Sequence, residues 1–254
     1  MTSIIPEERI DLDQVAILLD IDGTILDFAP TPREVWVPPT LRRTLQGLFE
    51  RTGGALALVS GRSLNDLDLL LAPLQLPAIG GHGAELRRFP GAANDPNRAP
   101  SLDPELKRRL ARIAELGPGI LIEDKGYSLA LHYRLAPDKG EAVRQAVADI
   151  CAGAQPGAVE MLPGKAVVEV KQKGFDKGSA VLELMAGPPF ADRRPIFIGD
   201  DATDEPVFPL LSAVNGVGFS VGRRVKDTAG CFARPADVRE WLDSILVRHV
   251  AASS

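Results

Sequence analysis

Leu18-Leu-Asp-Ile-Asp-Gly-Thr-Ile25 ends the apolar run Val15–Leu19 with two carboxylates, Asp20 and Asp22, two positions apart. In an extended chain such a pair points to one side. Gly23 permits a sharp turn, and Thr24 can offer a hydroxyl or start a helix. Carboxylates at short range repel unless a cation or a shared proton intervenes. A second acidic string, Ile198-Gly-Asp-Asp-Ala-Thr-Asp-Glu205, also follows an apolar run. Either string alone fits a helix N-cap followed by a turn. Both together at strand ends point to a bound cation, and oxygen ligands with no His or Cys nearby suit Mg²⁺.

Working outward, Val15–Leu19, Ala55–Val59 and Pro195–Ile198 are apolar throughout, have strand length and run into polar loops. Buried parallel strands have this pattern because helices cover both sheet faces. Helices are expected over Pro39–Arg51, Ser63–Leu71 and Lys177–Met185, bounded by prolines and glycines. Strands alternating with helices indicate an α/β fold with its active residues at the carboxyl ends of the strands. The pattern breaks at the linker-like stretch 90–100, rich in Pro, Gly and Asn. Beyond it come helices over Pro104–Leu116 and Asp138–Ala152 and strands over Ile120–Glu123, Tyr127–Tyr133, Ala158–Leu162 and Ala166–Lys171. Residues 103–173 therefore read as an inserted α+β module, a lid on a core formed by 1–102 and 174–254.

The chain has 254 residues, 45% of them hydrophobic, and a mean hydropathy of +0.02, which is ample for a core. Its 29 basic and 34 acidic residues give a net charge of −5, the wrong sign for non-specific binding to nucleic acid or to an anionic membrane. The N-terminus lacks the pattern of a signal peptide, and no apolar run reaches the ~20 residues of a membrane span, so the expected location is the cytoplasm. Cys151 and Cys231 lie far apart with no metal-site spacing and read as buried small apolar residues. His249 falls in the C-terminal tail.

Asp20-Ile-Asp22-Gly-Thr, Ser60 after Ala-Leu-Ala-Leu-Val, Lys177 at a helix start and Gly199-Asp-Asp201 resemble, in order and spacing, the four motifs of the haloacid dehalogenase superfamily of phosphatases. Val59-Ser-Gly-Arg62, Gly81-His-Gly-Ala-Glu85, Glu123-Asp-Lys125, His132-Tyr-Arg134, Pro163-Gly-Lys165 with Glu169, and Asp200-Asp-Ala-Thr-Asp-Glu205 narrow the resemblance to the trehalose-6-phosphate phosphatases. The strings span positions 20 to 205, about three quarters of the chain.

The resemblance implies a Rossmann-like parallel-sheet core of the haloacid dehalogenase type with a small α+β cap. It implies a monomeric enzyme acting on a small-molecule substrate, trehalose 6-phosphate, and admits a trehalose-6-phosphate synthase as partner. It gives Asp20 as the nucleophile that becomes an aspartyl-phosphate, and Asp22 as acid to the leaving sugar oxygen and then base to water. Mg²⁺ is held by Asp20, the main-chain carbonyl of Asp22 and Asp200. Ser60 and Lys177 take phosphate oxygens, while Thr24, Asp201 and Asp204 support the metal waters or Lys177. Arg62 reaches the substrate or braces its loop, and His82 sits near the mouth. The sugar is read by Glu123, Lys125, His132, Arg134, Lys165 and Glu169. Two alternatives stay open: the same chemistry on a sucrose- or mannosyl-type ester, and a non-catalytic sugar-phosphate-binding regulator. No Walker or Gly-x-Ser-x-Gly string is present, and Gly216–Gly222 reads as a strand and turn rather than a dinucleotide fingerprint.

Overall fold

The computed structural model describes residues 10–28, 35–92, 98–154, 157–164 and 166–252, with side chains through 247. The chain divides into two compact units, Met1–Asp95 together with Asp176–Ser254, and Pro96–Phe175.

The first unit opens with β1 (Val15–Leu19), α1 (Pro39–Arg51), β2 (Leu56–Val59), α2 (Leu64–Leu71), β3 (Ala78–Gly80) and β4 (Glu85–Arg87). The proline at N1 starts α1, where a missing N–H costs nothing, and the Ser63 side chain caps α2 by accepting from the Asp66 amide. The second unit holds α3 (Pro104–Ala111), β5 (Leu121–Asp124), β6 (Ser128–His132), α4 (Gly140–Ala152), β7 (Val159–Gly164) and β8 (Val167–Gln172). The helix expected over Pro104–Leu116 tightens to a 3₁₀ turn from Arg112. The chain then returns through α5 (Lys177–Met185), β9 (Arg194–Gly199), α6 (Phe208–Leu211), β10 (Val217–Val221), β11 (Gly230–Phe232) and α7 (Pro235–Ala252).

In the first unit the strands form one sheet in the order β11-β10-β9-β1-β2-β3-β4. Every neighbouring pair is parallel except β3 with β4. Strand β1 is buried on both faces. Ile17 and Leu19 join the apolar cluster of α1, α2 and α7, whereas Ala16 and Leu18 join that of α5 and α6. Helices on both sides of the sheet explain why the strand reads as continuously apolar. The C-terminal stretch that reads as a tail is a helix. Its Val238, Trp241, Leu242 and Ile245, spaced i, i+3, i+4 and i+7, pack into the core.

The second unit is an antiparallel sheet in the order β5-β6-β8-β7. Leu129, Leu131, Val168 and Val170 pack with Leu106 and Leu110 of α3 and Val143 and Val147 of α4. The alternate residues of β6 and β8, among them Ser128, His132, Glu169 and Lys171, therefore share the opposite sheet face. The two cysteines depart from the sequence expectation. Both are free and only half-buried, Cys151 in the last turn of α4 and Cys231 on the edge strand β11. Among the described residues no helix is long and apolar enough to cross a membrane.

Phe219, Phe232 and Trp241 form an aromatic knot with centroid separations of 5.8, 6.4 and 5.9 Å, and each is 4% exposed or less. Truncating Phe219 to Ala is expected to lower the unfolding free energy by about 3–5 kcal/mol in urea titration. A loss below about 1 kcal/mol would contradict this packing.

Candidate active site

In the first unit β1, β2 and β9 run parallel, so their carboxyl ends lie along one edge of the sheet, and they deliver Asp20, Ser60 and Asp200 there. Strand β1 has β2 on one side and β9 on the other, the position where connections diverge and a crevice opens. The Asp20 amide donates to the Ile198 carbonyl at 2.9 Å, which continues the β1/β9 ladder to Asp20 itself.

Lys177 begins α5, whose N-terminus is fixed by a capping box. Asp176 Oδ1 accepts the Ser179 amide at 2.7 Å, and Ser179 Oγ accepts the Asp176 amide at 3.3 Å. The Lys177 side chain is 2% exposed and places Nζ between Asp20 Oδ1 at 2.8 Å and Asp204 Oδ1 at 2.7 Å. Asp204, fully buried, also accepts the amides of Asp200 (2.9 Å) and Asp201 (3.1 Å) on Oδ2. It thus ties Lys177 to the loop carrying the second acidic string. Asp201 accepts both the amide (2.8 Å) and the hydroxyl (2.7 Å) of Thr203, which closes that loop on itself. Sequence reasoning passed over Thr203, although its place two residues after an aspartate is an Asx-turn signal.

The electrostatics follow from this crowding. Burial pushes Asp20 up to about 7 against the pull of Lys177, with the Asp200 charge adding to the rise. Burial, then the charge of Asp20, takes Asp204 to about 7, and burial with the charges of Asp204 and Asp201 takes Asp200 to about 6. Burial pushes Asp201 upward too, but the Lys177 charge and the Thr203 hydrogen bonds outweigh it and hold it below the usual carboxylate range. Burial alone would lower Lys177, yet the charges of Asp20, Asp204 and Asp201 hold its ammonium above the ordinary lysine range.

Asp20, Asp200 and Asp204 can each bring one oxygen within 4.8 Å of the others, an all-oxygen donor set of the kind that binds Mg²⁺. Asp204 already accepts from three donors, so Asp20 and Asp200 are the better ligands. Thr24 Oγ1 donates to Asp200 Oδ1 at 3.2 Å. Gly23 adopts φ +86°, and a Cβ there would lie 2.2 Å from Asp200 Oδ2, so only glycine lets the two acidic strings approach this closely.

Asp22 has a different partner. Arg62 donates from Nε to Oδ2 at 2.6 Å and from Nη2 to Oδ1 at 2.7 Å, a two-point clamp on the carboxylate. Arg62 thus grips Asp22, a partner that neither of its two expected roles named. Burial pulls the Arg62 pKa down, but the hydrogen bond and charge of Asp22 overcome it and raise it. Ser60, 2% exposed, accepts the Arg62 amide at 3.2 Å. His82 has a left-handed backbone (φ 54°), its amide donates to the Ser60 carbonyl at 3.0 Å, and its ring lies against Gly61.

On the charged sheet face of the second unit, His132 Nε2 meets Glu123 Oε2 at 2.9 Å. Lys125 Nζ lies 3.4 Å from both Glu169 oxygens, and Ser128 Oγ donates to Glu169 Oε1 at 2.5 Å. Glu123, Lys125, His132 and Glu169 are thereby joined in pairs. Arg134 is exposed in the turn beyond β6, and Lys165 lies outside the described residues. Ser128, and an ion pair of the buried Lys171 with the half-buried Glu160, were missed by sequence reasoning. Their signal was the period-two alternation that sets Ser128 with His132 and Lys171 with Glu169.

The chain is similar to known proteins over most of its length. The family model described as trehalose-phosphatase matches residues 18–231. The chain is 43% identical over 213 residues to a probable trehalose-phosphate phosphatase of Sinorhizobium fredii, covering 84% of this chain and 79% of the relative. It is 35% identical over 226 residues to the trehalose-6-phosphate phosphatase of Escherichia coli, covering 89% and 84%. The C-terminal domain of Candida albicans trehalose-6-phosphate phosphatase shares the fold, with a TM-score of 0.79 at 23% identity over 92% of each chain.

The raised carboxyls carry a sign that can be measured. A group that titrates higher in the folded chain than its unfolded value of about 3.9 stabilises the fold at low pH and loses that contribution as pH climbs through its folded pKa. With Asp20 and Asp204 near 7 and Asp200 near 6, that loss accumulates from about pH 4, where the unfolded carboxyls ionise, up to about 7. In EDTA the unfolding midpoint is expected to drop between about pH 4 and 7 and then to level off, and Mg²⁺ to raise it more at the upper end, where it competes with fewer protons. Asp200→Asn should flatten the EDTA profile, and a midpoint that rises over this window would contradict the reading.

Proposed function

Since this chain belongs to the trehalose-phosphatase family, we propose that it hydrolyses trehalose 6-phosphate to trehalose and inorganic phosphate through an aspartyl-phosphate on Asp20. The observation that carries the mechanism is the position of Asp20, held at the end of β1 by Lys177 beside the Asp200 carboxylate.

In the first half-reaction an Asp20 oxygen attacks phosphorus, and the bond from phosphorus to the sugar oxygen breaks with its electron pair going to that oxygen. Asp22 supplies the proton that makes it a hydroxyl. Both Asp22 oxygens accept from Arg62, so proton delivery requires that clamp to loosen. In the second half-reaction the Asp22 carboxylate takes a proton from water as the water attacks phosphorus, which releases phosphate and restores Asp20. Ser60 and the ammonium of Lys177 take phosphoryl oxygens as donors. Asp20, Asp200 and the main-chain carbonyl of Asp22 are the proposed holders of Mg²⁺. When bound, Mg²⁺ offsets the charge between the carboxylate nucleophile and the phosphate and polarises a phosphoryl oxygen. The sugar is assigned to the paired residues of the second unit, Glu123 with His132 and Lys125 with Glu169, because carboxylates and cations placed on one face can exchange partners with hydroxyls.

Phosphate release from a panel of sugar phosphates, with Mg²⁺ or with EDTA, tests this reading. Turnover is expected to favour trehalose 6-phosphate and to vanish in EDTA; equal rates on glucose 6-phosphate would remove the substrate assignment. Asp20→Asn should abolish turnover, and activity surviving it would sink the covalent route. Asp22→Asn should lower kcat by about 10²–10⁴-fold. Its Mg²⁺ affinity, read by calorimetry, should stay close to that of the unaltered chain, because the Asp22 side chain is engaged by Arg62 rather than by the carboxylate group.

A further inference from the structure

The turn that follows β3, Gly80 to Glu85, touches both halves of the phosphate-handling machinery. Its backbone holds the loop after β2 at two points. The Gly81 amide donates to the Arg62 carbonyl at 2.8 Å, and the His82 amide to the Ser60 carbonyl at 3.0 Å. Glu85 adds a third, because its Oε2 accepts the amide of Leu64, the first residue of α2, at 2.5 Å. The N-cap Ser63 serves the Asp66 amide, so Glu85 satisfies a different early N–H of that helix. A carboxylate at this end of a helix is favoured by the helix dipole as well.

The fit is close on every side. A Cβ on Gly61 would lie 2.3 Å from His82 Nε2. One on Gly80 would lie 2.7 Å from Glu85 Oε2 and 3.0 Å from both the Arg62 carbonyl and the Leu64 amide. One on Gly83 would lie 2.3 Å from the carbonyl of Asp176, the cap residue of the helix that carries Lys177. A single turn therefore sets where Ser60 and Arg62 stand and abuts the start of α5.

We propose that Glu85 is a positioning residue for phosphoryl transfer: through the Leu64 amide it fixes the Ser60–Ser63 loop, and through that loop the Ser60 hydroxyl and the Arg62 clamp on Asp22. The proposal rests on the phosphatase reading and extends it to a residue that touches neither phosphate nor sugar. What Glu85 supplies to that loop is an acceptor oxygen for the Leu64 amide. A glutamine can supply the same oxygen, and an alanine cannot.

The test uses the full chain with Mg²⁺ and two substrates, trehalose 6-phosphate and p-nitrophenyl phosphate. Glu85→Ala is expected to lower kcat on both about 10- to 100-fold, the scale of a misplaced catalytic group, with KM changed far less. Glu85→Gln should restore kcat to within about threefold of the unaltered chain, because the Leu64 amide keeps its acceptor. Gly80→Ala tests the same contact by crowding the Glu85 carboxylate rather than replacing it. Its extended backbone (φ −109°) accepts alanine, but the new methyl pushes Glu85 from the loop, so the same kcat loss is expected. The double variant should be no worse than either single one, as for two changes breaking one contact. Unchanged kcat in Glu85→Ala or Gly80→Ala, equal loss in the alanine and glutamine variants, or additive losses would each overturn the proposal. An unaltered chain that cleaves p-nitrophenyl phosphate but not trehalose 6-phosphate would defeat the sugar assignment and leave this test intact.

Discussion

The Lys177 ammonium, buried between the carboxylates of Asp20 and Asp204, is the interaction on which the rest of the site depends. A buried charge is tolerated only when it is paired and hydrogen-bonded, and removing one partner leaves the other stranded. Two of the three ammonium protons are committed to Asp20 and Asp204. Asp204 in turn accepts the amides of Asp200 and Asp201, so its loss would release the lysine and also unfasten the loop that presents the second acidic string. Position, protonation and loop geometry are thus one coupled system.

That system carries a surplus of negative charge. One ammonium faces Asp20, Asp200, Asp201 and Asp204, and three of these are pushed toward protonation by burial and by one another. A phosphate arriving unaided would worsen the repulsion, and a divalent cation held by these carboxylates would offset it, which is how a site for a phosphate ester can sit in a chain of net charge −5. The acidity also has a location. Residues 103–173 carry 11 basic and 10 acidic side chains, whereas the remainder carries 18 and 24. Net charge argues against a polyanionic partner, but it has no bearing on a small anion met by a divalent cation and one placed lysine.

Much of this was legible in the sequence because the signals were short-range. Val15–Leu19, Pro39–Arg51 and Lys177–Met185 have the bounds read from apolar runs and from proline and glycine punctuation. The acidic strings follow strands in both readings. Strands β3 and β4 escaped notice because three residues each are too few to establish a period, and their place at the sheet edge is decided by pairing with β2. Partner choice was illegible for the same reason. Nothing local says that Arg62 grips Asp22, 40 positions away, or that Glu85 reaches Leu64, 21 positions away. Sequence supplies the donors and acceptors, and the crossing of strands decides who meets whom.

The second unit's charged face, to which the sugar is assigned by proposal, holds two ion pairs of unequal burial. The pair of Glu123 with His132 is about one third exposed, and such pairs contribute only about 0–1 kcal/mol, so a hydroxyl can replace either partner with little loss. The pair of Lys125 with Glu169 differs, with side-chain exposures of 12% and 9% and an added hydrogen bond from Ser128. Opening it takes a cation from a buried carboxylate, a loss that an incoming hydroxyl offsets by donating and that a ligand lacking one there does not. Discrimination in the proposed reaction therefore falls on the more buried pair. On the proposed assignment its polarity rejects incomplete sugars, whereas the exposed pair adapts to those that are admitted.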